Sequence, residues 1–251
     1  MINNNSLIYF TLPAIVFQIT AATLAILKKK GITALMIISV IILATFIATI
    51  WISTGVPPMK TSGETRLWYA TFMPLVGLIL FLRYRLRWIP IFTAIMSSIF
   101  IVINILNPEA QHEELPALLN SPWFIPHVVL YMFSYAFFGL SFLLSLTKIK
   151  DDTQKAIDEA VQLGLGLFTI ATCIGALWAK TAWGHFWTWD LKETWACITA
   201  LSYYSYIATR KERNSSVIIQ RIILVLAFAA LQMCWWGHQY LPHASQSLHA
   251  Y

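Results

Sequence analysis

ITALMIISVIILATFIATIWI, residues 32–52, runs for twenty-one positions without a charge. A helix needs roughly 20 apolar residues to cross the hydrocarbon core of a bilayer, so this stretch reads as a membrane span. The basic run Lys28, Lys29 and Lys30 ends just before it. Working outward, seven more stretches have the same character: 7–27, 67–82, 88–106, 126–147, 161–179, 194–209 and 217–236. Those at 67–82 and 194–209 are short, so their helices are expected to begin in the flanking loops.

Composition agrees. The chain of 251 residues is 58% hydrophobic and 11% charged, with a mean hydropathy of +0.66. Soluble domains average about 45–50% apolar and about 25% charged. The net charge of +6 does not indicate nucleic acid, because the charges sit in short clusters between apolar runs. No basic n-region or small-residue cleavage site marks the first apolar stretch, so it is expected to be a span and not a cleaved signal peptide. Cys173, Cys197 and Cys234 form no C-x-x-C pair, which argues against a zinc site or redox dithiol. They read as small buried hydrophobes.

The expected fold is therefore an all-α polytopic bundle of about eight transmembrane helices. Cationic side chains orient such a bundle, because they accumulate in cytoplasmic connections. One set of connections holds 13 of the 17 Lys and Arg residues; the other holds Lys60, Arg66, Lys180 and Lys192. The first set is thus expected to be cytoplasmic, with both termini outside.

On that topology all six histidines (His112, His127, His185, His238, His243, His249) fall at the outer face. So do ten of the eleven tryptophans, Trp88 being the exception. An interfacial aromatic belt should populate both faces, so the one-sided pattern favours a functional surface. Its densest part is AKTAWGHFWTWDLKETWACI, with four tryptophans between Trp183 and Trp195. Trp183, Trp187 and Asp190 stand at i, i+4 and i+7, which on a helical turn would share one face and leave Trp189 apart. Gly184 allows a bend or close approach to a planar ligand. Such a platform suits a large flat apolar molecule with a polar edge. Asp190 with Glu193 also forms a capping signature for the next helix. Lys180 and Lys192 are candidates for receiving anionic groups, although interfacial snorkelling explains them equally well.

W-G-x-x-W-x-W-D followed by K-E-T-W resembles the tryptophan-rich (WWD) signature of the haem-handling proteins, and most closely the CcsA/ResC-type (system II) cytochrome c biogenesis proteins. SPWFIPHVVLYMFSYA (121–136) resembles the family segment carrying one haem-ligating histidine, placing it at His127. SQSLHAY (245–251) resembles the segment carrying the second, placing it at His249. GVPPMKTSGETRLWYA (55–70) matches as well. The apolar runs give two N-terminal helices over 1–54, and the resemblance implies a haem-handling membrane domain over 55–251, with its WWD loop at 180–196. It implies haem b as bound substrate, with His127 and His249 as axial iron ligands and Trp183, Gly184, Trp187, Trp189 and Asp190 around the macrocycle. The haem would be presented for thioether attachment to apocytochrome c, as the haem-presenting subunit of a holocytochrome c synthase. A CcsB/ResB-type membrane partner is expected, with thiol-reducing proteins nearby, in a bacterial cytoplasmic membrane and with the active face periplasmic.

Pro126 opens the fifth span and fixes His127 in its first turn, the rigid placement an axial ligand requires. His238 and His243 compete with His249 in the tail; His112 and His185 read as interfacial polar residues. One position departs from the family: Ala208 stands where relatives carry a histidine in a Y-L-H-x-R context, which leaves no mid-membrane histidine. Two rivals are a system I type haem carrier serving a chaperone and a b-type cytochrome reducing quinone. The K-E-T-W continuation and C-terminal histidine argue against the first. The second would need histidine pairs at both depths.

Overall fold

The computed structural model describes residues 4–59, 61–107, 121–148, 150–212 and 216–241. These fold into eight α-helices and a terminal 3-10 turn, with no strand among the described residues. The helices are α1 (Asn4–Ile26), α2 (Ile32–Thr54), α3 (Ser62–Tyr84), α4 (Trp88–Leu106), α5 (Phe124–Ser145), α6 (Asp151–Trp183), α7 (Leu191–Lys211) and α8 (Val217–Trp235). Seven are long and apolar enough to cross a membrane. The exception is α7, whose polar residues bond within the helix. Thr199, Ser202, Ser205 and Thr209 each donate to the carbonyl four residues back, at 2.7–2.8 Å.

Helix ends differ from the apolar runs where polar residues prolong a helix. α3 starts five residues before its apolar run because Thr61 and Glu64 form a capping box: Glu64 N donates to Thr61 Oγ1, and Thr61 N to Glu64 Oε2. α6 starts at Asp151, with Asp151 and Asp152 in its first turn, where the helix dipole favours anions. Its 33 residues extend about 50 Å at 1.5 Å per residue, well beyond a hydrocarbon core of about 30 Å.

The chain divides into two compact units, α1–α4 and α5–α8. In the first, successive helices pack together and α4 closes the ring against α1. Leu7, Phe46, Ile47, Ile50 and Leu67 form its apolar centre. Gln18 of α1 donates to Ser97 Oγ of α4 at 3.1 Å, and Ser97 in turn to the Ala70 carbonyl of α3 at 2.7 Å.

In the second unit α5 packs on α6, α6 on α7, α7 on α8, and α8 on α5. The closest pair is α5 and α6, where Ser134 Oγ donates to the Gly164 carbonyl at 2.7 Å. Phe138 and Tyr203 stack with centroids 3.6 Å apart. At the end of the unit opposite the WWD segment, Asp158 of α6 accepts from Arg210 Nη2 at 2.8 Å and Nε at 2.9 Å, and from Tyr206 Oη at 2.7 Å. Tyr206 and Arg210 therefore face α6, while Ala208 between them is exposed. The cysteines behave unequally: Cys234 is buried as expected, Cys197 is intermediate, and Cys173 is exposed on α6.

Candidate functional site

His127 is held by its helix and by α6. α5 begins at Phe124, two residues before Pro126, so Pro126 lies in the first turn, where a missing N–H costs no helical bond. His127 N donates to the Trp123 carbonyl at 3.2 Å. Its ring reaches α6, where Nδ1 lies 2.8 Å from the Ala171 carbonyl. A carbonyl only accepts, so Nδ1 is the donor and the neutral imidazole carries its lone pair on Nε2. The ring lies over Gly175: a Cβ built there would fall 2.5 Å from Nδ1 and 3.2 Å from Nε2.

Aromatic rings surround this imidazole. Trp178, 1% exposed, stacks at 6.0 Å from it, and Trp183 meets Trp178 edge-on at 4.7 Å. Tyr131 packs T-shaped against it at 4.7 Å. The Thr172 hydroxyl donates to the Phe168 carbonyl, so the Tyr131 hydroxyl, 2.8 Å away, donates to Thr172. Sequence spacing did not point to Trp178, Gly175 or Tyr131.

The WWD segment is not a helical turn. α6 stops at Trp183, and Gly184 caps it in the left-handed conformation, φ 82°. The chain is then irregular up to Asp190, so Trp183, Trp187 and Asp190 do not share a helix face. Trp189 is not apart either: it meets Trp187 edge-on at 5.7 Å. Trp189 has φ 62°, a left-handed conformation rare for a bulky residue and held only where its surroundings dictate it. It is 67% exposed, and neighbouring Phe186 is 53% exposed. Trp187 Nε1 is buried and donates to none of the described residues.

Glu193 supplies the constraint. It is 7% exposed, and its Oε2 accepts from Thr188 N at 2.7 Å, Thr188 Oγ1 at 3.1 Å and Asp190 N at 3.4 Å. Asp190 Oδ1 accepts from Glu193 N at 2.9 Å, completing the capping box expected from the sequence. Thr194 Oγ1 adds a bond to the Trp189 carbonyl at 3.1 Å. Lys180 is committed to this segment, donating to the Gly184 carbonyl at 2.8 Å with its ammonium 5.4 Å from the Phe186 ring centroid. His185 is exposed. His112, His243 and His249 lie outside the described residues, as does the side chain of His238.

The family model described as cytochrome C assembly protein matches residues 4–244. The chain belongs to that family. It is 27% identical over 248 residues to the cytochrome c biogenesis protein CcsA of Chlamydomonas reinhardtii, covering 90% of this chain and 69% of the relative. CcsA of Nymphaea alba is 25% identical over 250 residues, covering 82% and 80% respectively. Protein NrfI of Wolinella succinogenes is 28% identical over 204 residues, 73% of this chain but only 22% of NrfI's own length. As a cytochrome c assembly protein of the CcsA/ResC type, the chain is a multi-pass helical membrane protein of cytochrome c biogenesis.

Proposed function

We propose that this cytochrome c assembly protein binds haem b as its substrate, with His127 and His249 as axial iron ligands. Trp183, Gly184, Trp187, Trp189 and Asp190 would line the macrocycle. The observation that carries this reading is the anchored imidazole of His127. Its Nδ1–H is committed to the Ala171 carbonyl, an outer bond of the kind that orients metal-ligating histidines and sets their tautomer. The exposed rings of Trp189 and Phe186 offer apolar area to a planar ligand. Trp187 Nε1 is a donor available for a polar edge. Asp190 contributes by capping α7 and thereby fixing the segment.

Haem held in this way is presented for thioether formation with the C-x-x-C-H thiols of apocytochrome c. The protein's contribution is positioning; the thiols and vinyl groups belong to the substrates. A CcsB/ResB-type membrane protein is the proposed partner, and the chain is the haem-presenting subunit of the pair. The domain reading of 1–54 plus 55–251 belongs to the same proposal.

The test is haem content of the complex purified with its partner. His127→Ala and His249→Ala are each expected to remove most of the Soret absorbance. Full retention in both would overturn the ligand assignment.

The proposed orientation puts the WWD segment on the periplasmic face of a bacterial cytoplasmic membrane, opposite most of the Lys and Arg residues. Alkaline phosphatase fused after Ser247 is therefore expected to be active, and the same reporter after Lys30 inactive. The reverse pattern would invert the topology.

A further inference from the structure

The 55–70 segment carries a charge that the haem reading leaves unused. Arg66, in the second turn of α3, is 8% exposed. Its Nε donates to the Ser62 carbonyl at 3.2 Å and its Nη2 to Ser62 Oγ at 3.1 Å. Both acceptors are neutral and belong to its own helix. Among the described residues no carboxylate stands within ion-pair distance of it, and Nη1 donates to none of them. The position is adverse in two ways. A cation near a helix N-terminus opposes the dipole, and a buried charge without a counter-charge is costly. Glu64, the nearest acid in sequence, is engaged by the Thr61 cap.

We propose that Arg66 is the receptor for an oxyanion carried by a ligand. A guanidinium with two donors fixed against Ser62 keeps a third for a carboxylate or phosphate oxygen. Two sources present that chemistry here. One is the phosphate of an anionic phospholipid and the other is inorganic phosphate from solution. Arg66 is the fifth residue of a membrane span, which favours the lipid.

The experiment uses the purified complex in a maltoside detergent, as wild type, Arg66→Gln and Arg66→Lys. Native mass spectrometry counts the phosphatidylglycerol molecules retained after titration. In parallel, the titration is repeated with excess inorganic phosphate. Loss of one bound lipid in Arg66→Gln, with the wild-type lipid resistant to phosphate, supports the lipid source. Displacement of that lipid from the wild type by phosphate supports the free-phosphate source. Arg66→Lys, which keeps the charge without the fork, is expected to fall between and serves if Arg66→Gln does not fold. Equal lipid retention in all folded variants, with and without phosphate, would overturn the proposal. The lipid count stands even if the histidine variants disprove haem ligation.

Discussion

Gly175→Ala is expected to cut haem occupancy of the complex by about 10–100-fold, the range for disturbing a ligand's outer bond. The His127 ring occupies the space where the new Cβ would lie, 2.5 Å from Nδ1. Real Cβ atoms do not approach that closely, so the imidazole must swing away from α6. Swinging breaks the bond from Nδ1 to the Ala171 carbonyl, and with it the constraint on tautomer and ring direction. The stability cost of such overpacking is only about 1–3 kcal/mol, which leaves the bundle folded. The checks are Soret intensity and line shape, set beside the thermal midpoint of the protein without haem. A Gly175→Ala variant with wild-type Soret absorbance would show that the packing of His127 on α6 is irrelevant to binding. His127→Ala separates the two questions, since it tests ligation without touching the packing partner.

Glu193→Ala is expected to destabilise the WWD segment by about 2–4 kcal/mol, given about 1.5–3 kcal/mol for a hydrogen bond to a charged group and incomplete additivity. Its Oε2 is the common acceptor for Thr188 N, Thr188 Oγ1 and Asp190 N. Without it the left-handed Trp189 loses the surroundings that hold it at φ 62°. Glu193→Gln keeps an oxygen acceptor but not the charge, and is expected to lose roughly half as much. Tryptophan emission should shift to the red as Trp187, whose Nε1 is buried, becomes wetter, and limited proteolysis should cut between Gly184 and Asp190. Unchanged emission and unchanged proteolysis in Glu193→Ala would sink this account.

The legibility of the site was uneven, for identifiable reasons. Asp190 and Glu193 were readable because a capping box is a local contract between residues three apart. The helical face assigned to Trp183, Trp187 and Asp190 failed because Gly184 ends α6 in the left-handed conformation; the glycine that suggested a bend was itself the stop signal. Trp178 stayed hidden inside an apolar run, where a tryptophan reads as a span residue. Its importance comes from sitting between His127 and Trp183.

The sequence by itself determined the eight helices, their ends to within a few residues where apolar runs end at caps, and the family. Each rests on short-range chemistry: uncharged runs of span length, capping residues, and motif spacing. Only the tertiary structure decided what surrounds His127. Ala171 lies 44 residues away in the chain, and no periodicity couples the two; close packing of α5 on α6 does. The WWD segment divides between the two: its tryptophans and its capping box were plain in the sequence, whereas the burial of the Glu193 carboxylate, 7% exposed, which strengthens the bonds it accepts from Thr188 and Asp190, is a matter of packing.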